Sequence, residues 1–290
     1  MQTSDTTGPD KIRKAVVRFD SLDEIREIAT TKHRNHPCTS GMDYNSEWFG
    51  GVRDWAQLDH LVQYGWEEHT EDTMNVATET LAAVEREFEI EAFRSRYDVA
   101  GADVDVARYL SGEPENMITF DLVNTPAMGR VVPIVANIAV SAIVDTDLII
   151  QRGKMLAALI FAIESTGLRT EVWADAQIKG WGEGTKGRVL VKVKDAADTL
   201  DPASVLMALA HPAFFRAMML SVMHEFPEDV QSALGVGSGG YGCPENNLVT
   251  DLAPEDAITV QTGLRSDTEW PTDPKEFVTS KLRELGLIHD

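Results

Sequence analysis

The stretch VVPIVANIAVSAI, residues 131–143, decides the fold class together with VDTDLIIQRGKMLAALIFAIESTG (144–167) and LRTEVW (168–173). The first segment is almost wholly apolar and rich in β-branched residues, the pattern of a strand covered on both faces. Asp145 or Asp147 can cap a helix that stops at Gly167. From Met155 to Ile163 that helix is apolar nearly all round, so it is buried on more than one side. Gly153 within it predicts close backbone packing. LRTEVW alternates as a half-buried strand. Strand, buried helix and strand make a βαβ unit, with a right-handed crossover expected.

Working outward, RVLVKV (188–193) is a further strand, predicted as an antiparallel edge hairpin with 168–174 after the glycine-rich GWGEGTKG (180–187). Asp201-Pro202 opens a helix as N-cap and N1. Pro212 interrupts it and begins a second helix through Phe226. Segments 248–252 and 258–262 read as short strands, and Asp273-Pro274 starts a last helix ended by Gly286.

Upstream, residues 1–14 are polar and expected to fray as a disordered tail. Val16–Phe19 reads as a strand, and Ser21 with Glu24 as a capping box for a helix to Lys32. Asp54 caps a helix ended by Gly65. A long helix is predicted over 70–96 on a Met74, Ala77, Leu81, Val84, Phe88 stripe. A short helix over 103–111 and a strand over 118–123 follow. The predicted organisation is a tail (1–14), a mainly helical N-terminal region (15–117) and an α/β sheet domain (118–290). The fold class is α/β, a mostly parallel sheet with flanking helices.

Composition bounds the function. The 290 residues carry a formal charge of −21. A duplex-binding face needs clustered Lys and Arg, so nucleic acid is a poor partner and a basic protein partner a better one. Nine acids and one base in residues 67–91 read as a solvated helix face. Cys38 and Cys243 are too few for a disulfide framework. No signal peptide opens the sequence, and the apolar run 155–163 is far short of the roughly 20 residues of a membrane span. The expected location is the cytoplasm, that of a host cell if the gene is viral.

Candidate site residues follow from the sheet. In open parallel sheets ligands bind beyond the carboxyl ends of the strands, and here that edge holds Asn137, Ser141, Asp145 and Asp147. His211 and Arg216, in HPAFFR (211–216), could bind an anion or position a substrate. GVGSGG (235–240) lacks the Lys-Ser/Thr ending of a P-loop and the strand before a nucleophile elbow. Six tryptophans read as packing anchors, and the seven histidines show no metal-ligand spacing.

The segment NIAVS (137–141) resembles the metal-binding first strand of the von Willebrand factor A fold, and the order of elements over 118–265 is similar. That resemblance implies a three-layer architecture and a divalent cation at the strand end. The family's Asp position holds Asn137 and its first Ser position Ala139; only Ser141 matches. Losing the Asp removes the strongest oxygen ligand. The expectation is no cofactor, or a divalent ion such as Mg2+ on Ser141 and Asp145. WFGG (48–51), GW (65–66), DVAGADVD (98–105), GEP (112–114), Arg152-Gly153, HPAFFR and GYG (240–242) also resemble an uncharacterised family of phage-encoded and actinobacterial proteins. That likeness implies no activity, but makes the N-terminal region and the sheet one unit. The expected function is a non-enzymatic protein-interaction module. The alternatives are a metal-assisted hydrolase using Asp145, Asp147, His211 or Arg216, and a nucleic-acid accessory protein.

Overall fold

The computed structural model describes residues 1–87, 94–101, 103–121, 131–165, 167–182, 184–237, 240–246, 248, 250, 252, 254, 257–261 and 273–284. The predicted turn at 125–129, Phe88, Ser238, Trp270 and the stop at Gly286 lie outside them.

The βαβ unit forms as read. Strand β6 (Val131–Asn137) runs parallel to β7 (Arg169–Lys179), joined by α5 (Thr146–Ser165). Around it the chain builds β1 (Gln2–Thr7), β2 (Arg13–Phe19), β8 (Thr185–Lys194), β9 (Cys243–Pro244) and β10 (Ile258–Val260). The order is β1-β2-β8-β7-β6-β10, with β9 pairing β7. Pairs β2/β8, β6/β7 and β6/β10 are parallel; β1/β2, β7/β8 and β7/β9 are antiparallel. The sheet is therefore mixed. The predicted β7/β8 hairpin is present, but β8 is not an edge, because β2 lies beside it. Residues 2–7, expected to fray, pair with β2, and Arg13 donates to Asp5 at 2.9 Å across that hairpin.

The remaining helices are α1 (Leu22–Lys32), α2 (Trp55–Tyr64), α3 (Thr70–Glu87), α4 (Val106–Leu110), α6 (Pro202–Ala210), α7 (Leu220–Val222), α8 (Glu228–Leu234) and α9 (Pro274–Glu284). Their starts obey the caps in the sequence: Ser21 accepts from Glu24 N at 3.1 Å, Asp54 from Gln57 N at 2.9 Å and Asp201 from Ala203 N at 3.1 Å. The Glu24 carboxylate reaches Asp20 N at 2.8 Å, one residue before the cap. Between α6 and α7 the segment Phe214–Met219 is a π-helix.

Three upstream readings change. Helix α3 does not run to residue 96, because Arg94–Asp98 is strand β3. Of its predicted stripe Ala77 is buried but Met74 is exposed, and Thr73 and Thr80 are buried as well; the side chains of Leu81 and Val84 lie outside the described ones. Thr73 Oγ1 can face the interior because it donates back to His69 O at 2.8 Å. Strand β5 (Met117–Asp121) pairs with β3 and with β4 (Asp103–Val104) in a separate three-stranded sheet, not with the main one.

The two faces of the main sheet are covered differently. Val172, Ala174, Ala176 and Ile178 of β7 pack with Val189 and Val191 of β8 and the buried side of α5, α6 and α1 in one large apolar cluster. Gly153 lets α5 and α6 approach until a Cβ there would lie 2.1 Å from Ala210 Cα. Among the described residues the other face shows a small apolar cluster of Val16, Val135, Trp173 and Leu190, with Leu252 and Ala257 against it. Among the described residues no helix contributes to that cluster, and the three layers implied by the von Willebrand factor A likeness are not shown by them.

Among the described residues no single helix is long and apolar enough to cross a membrane. The apolar pair Pro202–Ala210 and Phe214–Glu225 bends by 63° between its halves.

Candidate functional site

The six sequence candidates go to three places. Asn137 is fully buried on the face of the sheet opposite the helices. Its Nδ2 donates to Glu245 O at 2.8 Å and Asn246 Oδ1 at 3.0 Å, and its Oδ1 accepts from Ala139 N at 3.2 Å. Beside it, Arg188 and Asp175 form a two-pronged buried ion pair, Nε to Oδ1 at 3.0 Å and Nη2 to Oδ2 at 2.9 Å. Burial pushes the Asp175 carboxyl up, and the Arg188 charge opposes that shift. Arg188 Nη1 also donates to Leu248 O and Thr250 Oγ1, each at 3.0 Å. Gln177 closes the network, donating to Asp175 at 2.6 Å and accepting from Leu248 N at 2.8 Å. The bonds to Glu245, Asn246, Leu248 and Thr250 fasten those residues to the sheet, so Asn137 has a structural task.

Ser141 and Arg216 converge. β6 ends at Asn137 because the asparagine side chain takes the Ala139 N–H and turns the chain. The loop that follows brings Ser141 to a cavity of about 340 Å3 shared with Trp48, Phe215, Arg216, Trp181 and Tyr241. Val140, Ile178, Leu220 and Pro244 add apolar lining. Among the described residues the Ser141 hydroxyl has no hydrogen-bond partner, and it is half-buried. Arg216, set on the π-helical turn, is buried. It donates to Trp48 O at 2.7 Å, Val144 O at 2.7 Å and Thr146 Oγ1 at 3.2 Å, and lies 4.5 Å over the Trp48 ring. These bonds tie the 3-10 turn Ser46–Phe49 to Val144 and to the first residue of α5. Burial lowers its pKa to about 10, and Asp145 pulls the other way. Arg152, on α5, donates to Ile138 O at 3.1 Å; burial and the nearby Arg216 lower it to about 9. Among the described lining residues Arg216 is the one that carries a charge.

Asp145 and Asp147 are exposed. Asp145 accepts from Asp147 N at 2.8 Å and opens α5, an N-cap role. Among the described residues no group of three or more His, Cys, Asp or Glu could hold a metal ion. Ser141 and Asp145 therefore lack further ligands of that kind. His211 lines a different cavity, the cleft beside α2. Of the four groups named for a hydrolase, Arg216 and His211 line different cavities, and Asp145 and Asp147 are in the lining of neither.

Sequence reasoning missed two features. Trp181, assigned to packing, is 79 % exposed on the β7–β8 turn. Its glycine neighbours, Gly180 and Gly182, were the available signal, since an aromatic at the tip of a tight turn has little to pack against. Three histidines form a cluster: His33 Nδ1 lies 2.9 Å from His36 Nε2, His36 stacks on His224 with centroids 3.5 Å apart, and His224 Nε2 lies 3.1 Å from the Tyr241 hydroxyl. Burial and the neighbouring rings lower His224 to about 4 and lower His36. Burial would raise Glu225, but the contact from His33 at 2.6 Å and the Lys32 charge hold it low. The cluster fixes Tyr241 in the cavity wall.

The family described as Domain of unknown function (DUF7192) matches residues 3–289, and the chain belongs to it. No curated protein and no solved structure matches the chain.

Proposed function

We propose that this family member is a non-enzymatic protein-interaction module, and that the cavity beyond the carboxyl end of β6 receives an anchor side chain of a protein partner. The observation that carries the reading is Trp181, 79 % exposed beside this cavity, with Ile143, 78 % exposed, adjoining the lining residue Ala142. Large apolar groups in water around a preformed pocket mark interaction surface. Trp, Tyr and Arg, all in this wall, dominate the energetics of protein interfaces. The free Ser141 hydroxyl and the Arg216 guanidinium suit an anchor with an apolar body and an acceptor at its tip. Free Cys38 and Cys243 fit a reducing cytoplasm.

The test places a photo-crosslinking amino acid at position 181 in the cell that produces the protein. The expected result is one discrete protein adduct, abolished by Ser141→Trp, which fills the cavity. Absence of an adduct, or one indifferent to Ser141→Trp, would contradict the proposal.

A further inference from the structure

The second cavity, about 970 Å3, lies beside α2 and the turns at residues 50–54 and 65–68. Two glycines build its floor. At Gly50 (φ +66°) a Cβ would lie 2.9 Å from Pro212 Cδ and 3.1 Å from His211 Cε1. At Gly65 (φ +81°) it would lie 2.5 Å from the Ala203 carbonyl carbon. Both chain reversals therefore demand glycine, and together they wrap the chain around His211. Trp66, held by its N–H to Ala203 O at 2.9 Å, stands edge-on to the His211 ring at 4.6 Å.

His211 is 4 % exposed. Its Nδ1 accepts from Ala213 N at 3.2 Å, which leaves the ring proton on Nε2. Burial, and then the His69 charge, lower its pKa to about 4, so the ring is neutral near pH 7. Among the described residues Nε2–H has no acceptor, and His211 lines the cleft. Nearer solvent stand the carboxylates of Asp54, Glu67 and Glu68 and the exposed ring of Tyr64. No Lys or Arg lines the cleft among the described residues. Carboxylates and an aromatic face attract a cation, while the floor offers one neutral donor.

We propose that this cleft binds an organic cation, a guanidinium or primary ammonium among Glu67, Glu68 and Tyr64, with a carbonyl oxygen of the same ligand accepting from His211 Nε2–H. Such a group can come from a free small molecule or from a basic residue in a peptide. The acidic residues alone would attract any cation; the buried donor is what selects one with an acceptor.

Titration calorimetry on the full chain tests it with three probes: N-acetyl-L-arginine methylamide, its uncharged citrulline counterpart, and the pentapeptide acetyl-Ala-Ala-Arg-Ala-Ala-amide. The arginine probe should bind about tenfold more tightly than the citrulline probe. Glu67→Gln with Glu68→Gln, both exposed positions, should erase that difference without changing the melting temperature. The His211 imidazole resonances should shift on binding. A pentapeptide tighter than the single residue supports the proposal with a peptide source, and equal affinity supports it with a free cation. Equal binding of arginine and citrulline, no binding of any probe, or indifference to the double variant would overturn it.

Discussion

The main sheet has one face packed against helices and one where a small apolar cluster lies beside a buried hydrogen-bond network. Helices α1, α5 and α6 cover the first; on the second a strap, Glu245, Asn246, Leu248 and Thr250, is tied down by Asn137, Gln177 and the Asp175-paired Arg188. The same strand, β7, supplies both, because alternate residues point to opposite faces. The contrast shows that a buried polar residue at a strand end need not be a site. Asn137 and Ser141 are four residues apart, yet one holds the strap and the other opens on a cavity.

The two faces should fail differently. Asp175→Ala leaves Arg188 buried without its carboxylate and should cost about 3–5 kcal/mol in denaturant unfolding. Adding Arg188→Met should restore part of that loss, since an apolar replacement removes the orphan charge. Leu156→Ala, in the helix-covered face, should cost about 3 kcal/mol through its cavity, with no second-site charge change able to restore it. Comparable behaviour of the two variants would break the distinction.

Acid should act next. His211 has a folded pKa of about 4, against about 6.5 when unfolded. Between those values the unfolded chain binds the extra proton. The contribution is therefore present above pH 6.5 and lost as pH falls towards 4, about 3 kcal/mol at most. His224 and His36 act in the same direction. Unfolding free energies at pH 7.5 and 4.5 check this; equal stability at the two would contradict neutral buried histidines.

The sequence made the apolar parts legible. β6, α5 and β7 were readable from hydrophobic runs, and α1, α2 and α6 from Ser21, Asp54 and Asp201, because these signals are local. β1 was not, since its residues QTSDTT are polar and its partner β2 decides its state. The strap was not, because Asn137, Arg188 and Leu248 meet only across the folded sheet. For the candidate site, the strand-end rule pointed to Ser141, and the HPAFFR phrase pointed to Arg216 and His211. What could not be read was the partition: two residues meet in one cavity, and His211 lines another. The π-helical turn and the two glycine reversals set that partition, and neither is encoded by residue spacing.

The central claim is that the second sheet face holds the fold while the cavity beside it binds. Crosslinking from position 181 in two variants, run with their melting curves, tests it most directly. Ser141→Trp should lose the adduct and keep the wild-type melting temperature. Asn137→Ala should melt earlier, by about 2 kcal/mol of lost stability, and keep the adduct while folded. An adduct that survives Ser141→Trp, or vanishes in folded Asn137→Ala protein, would contradict the account.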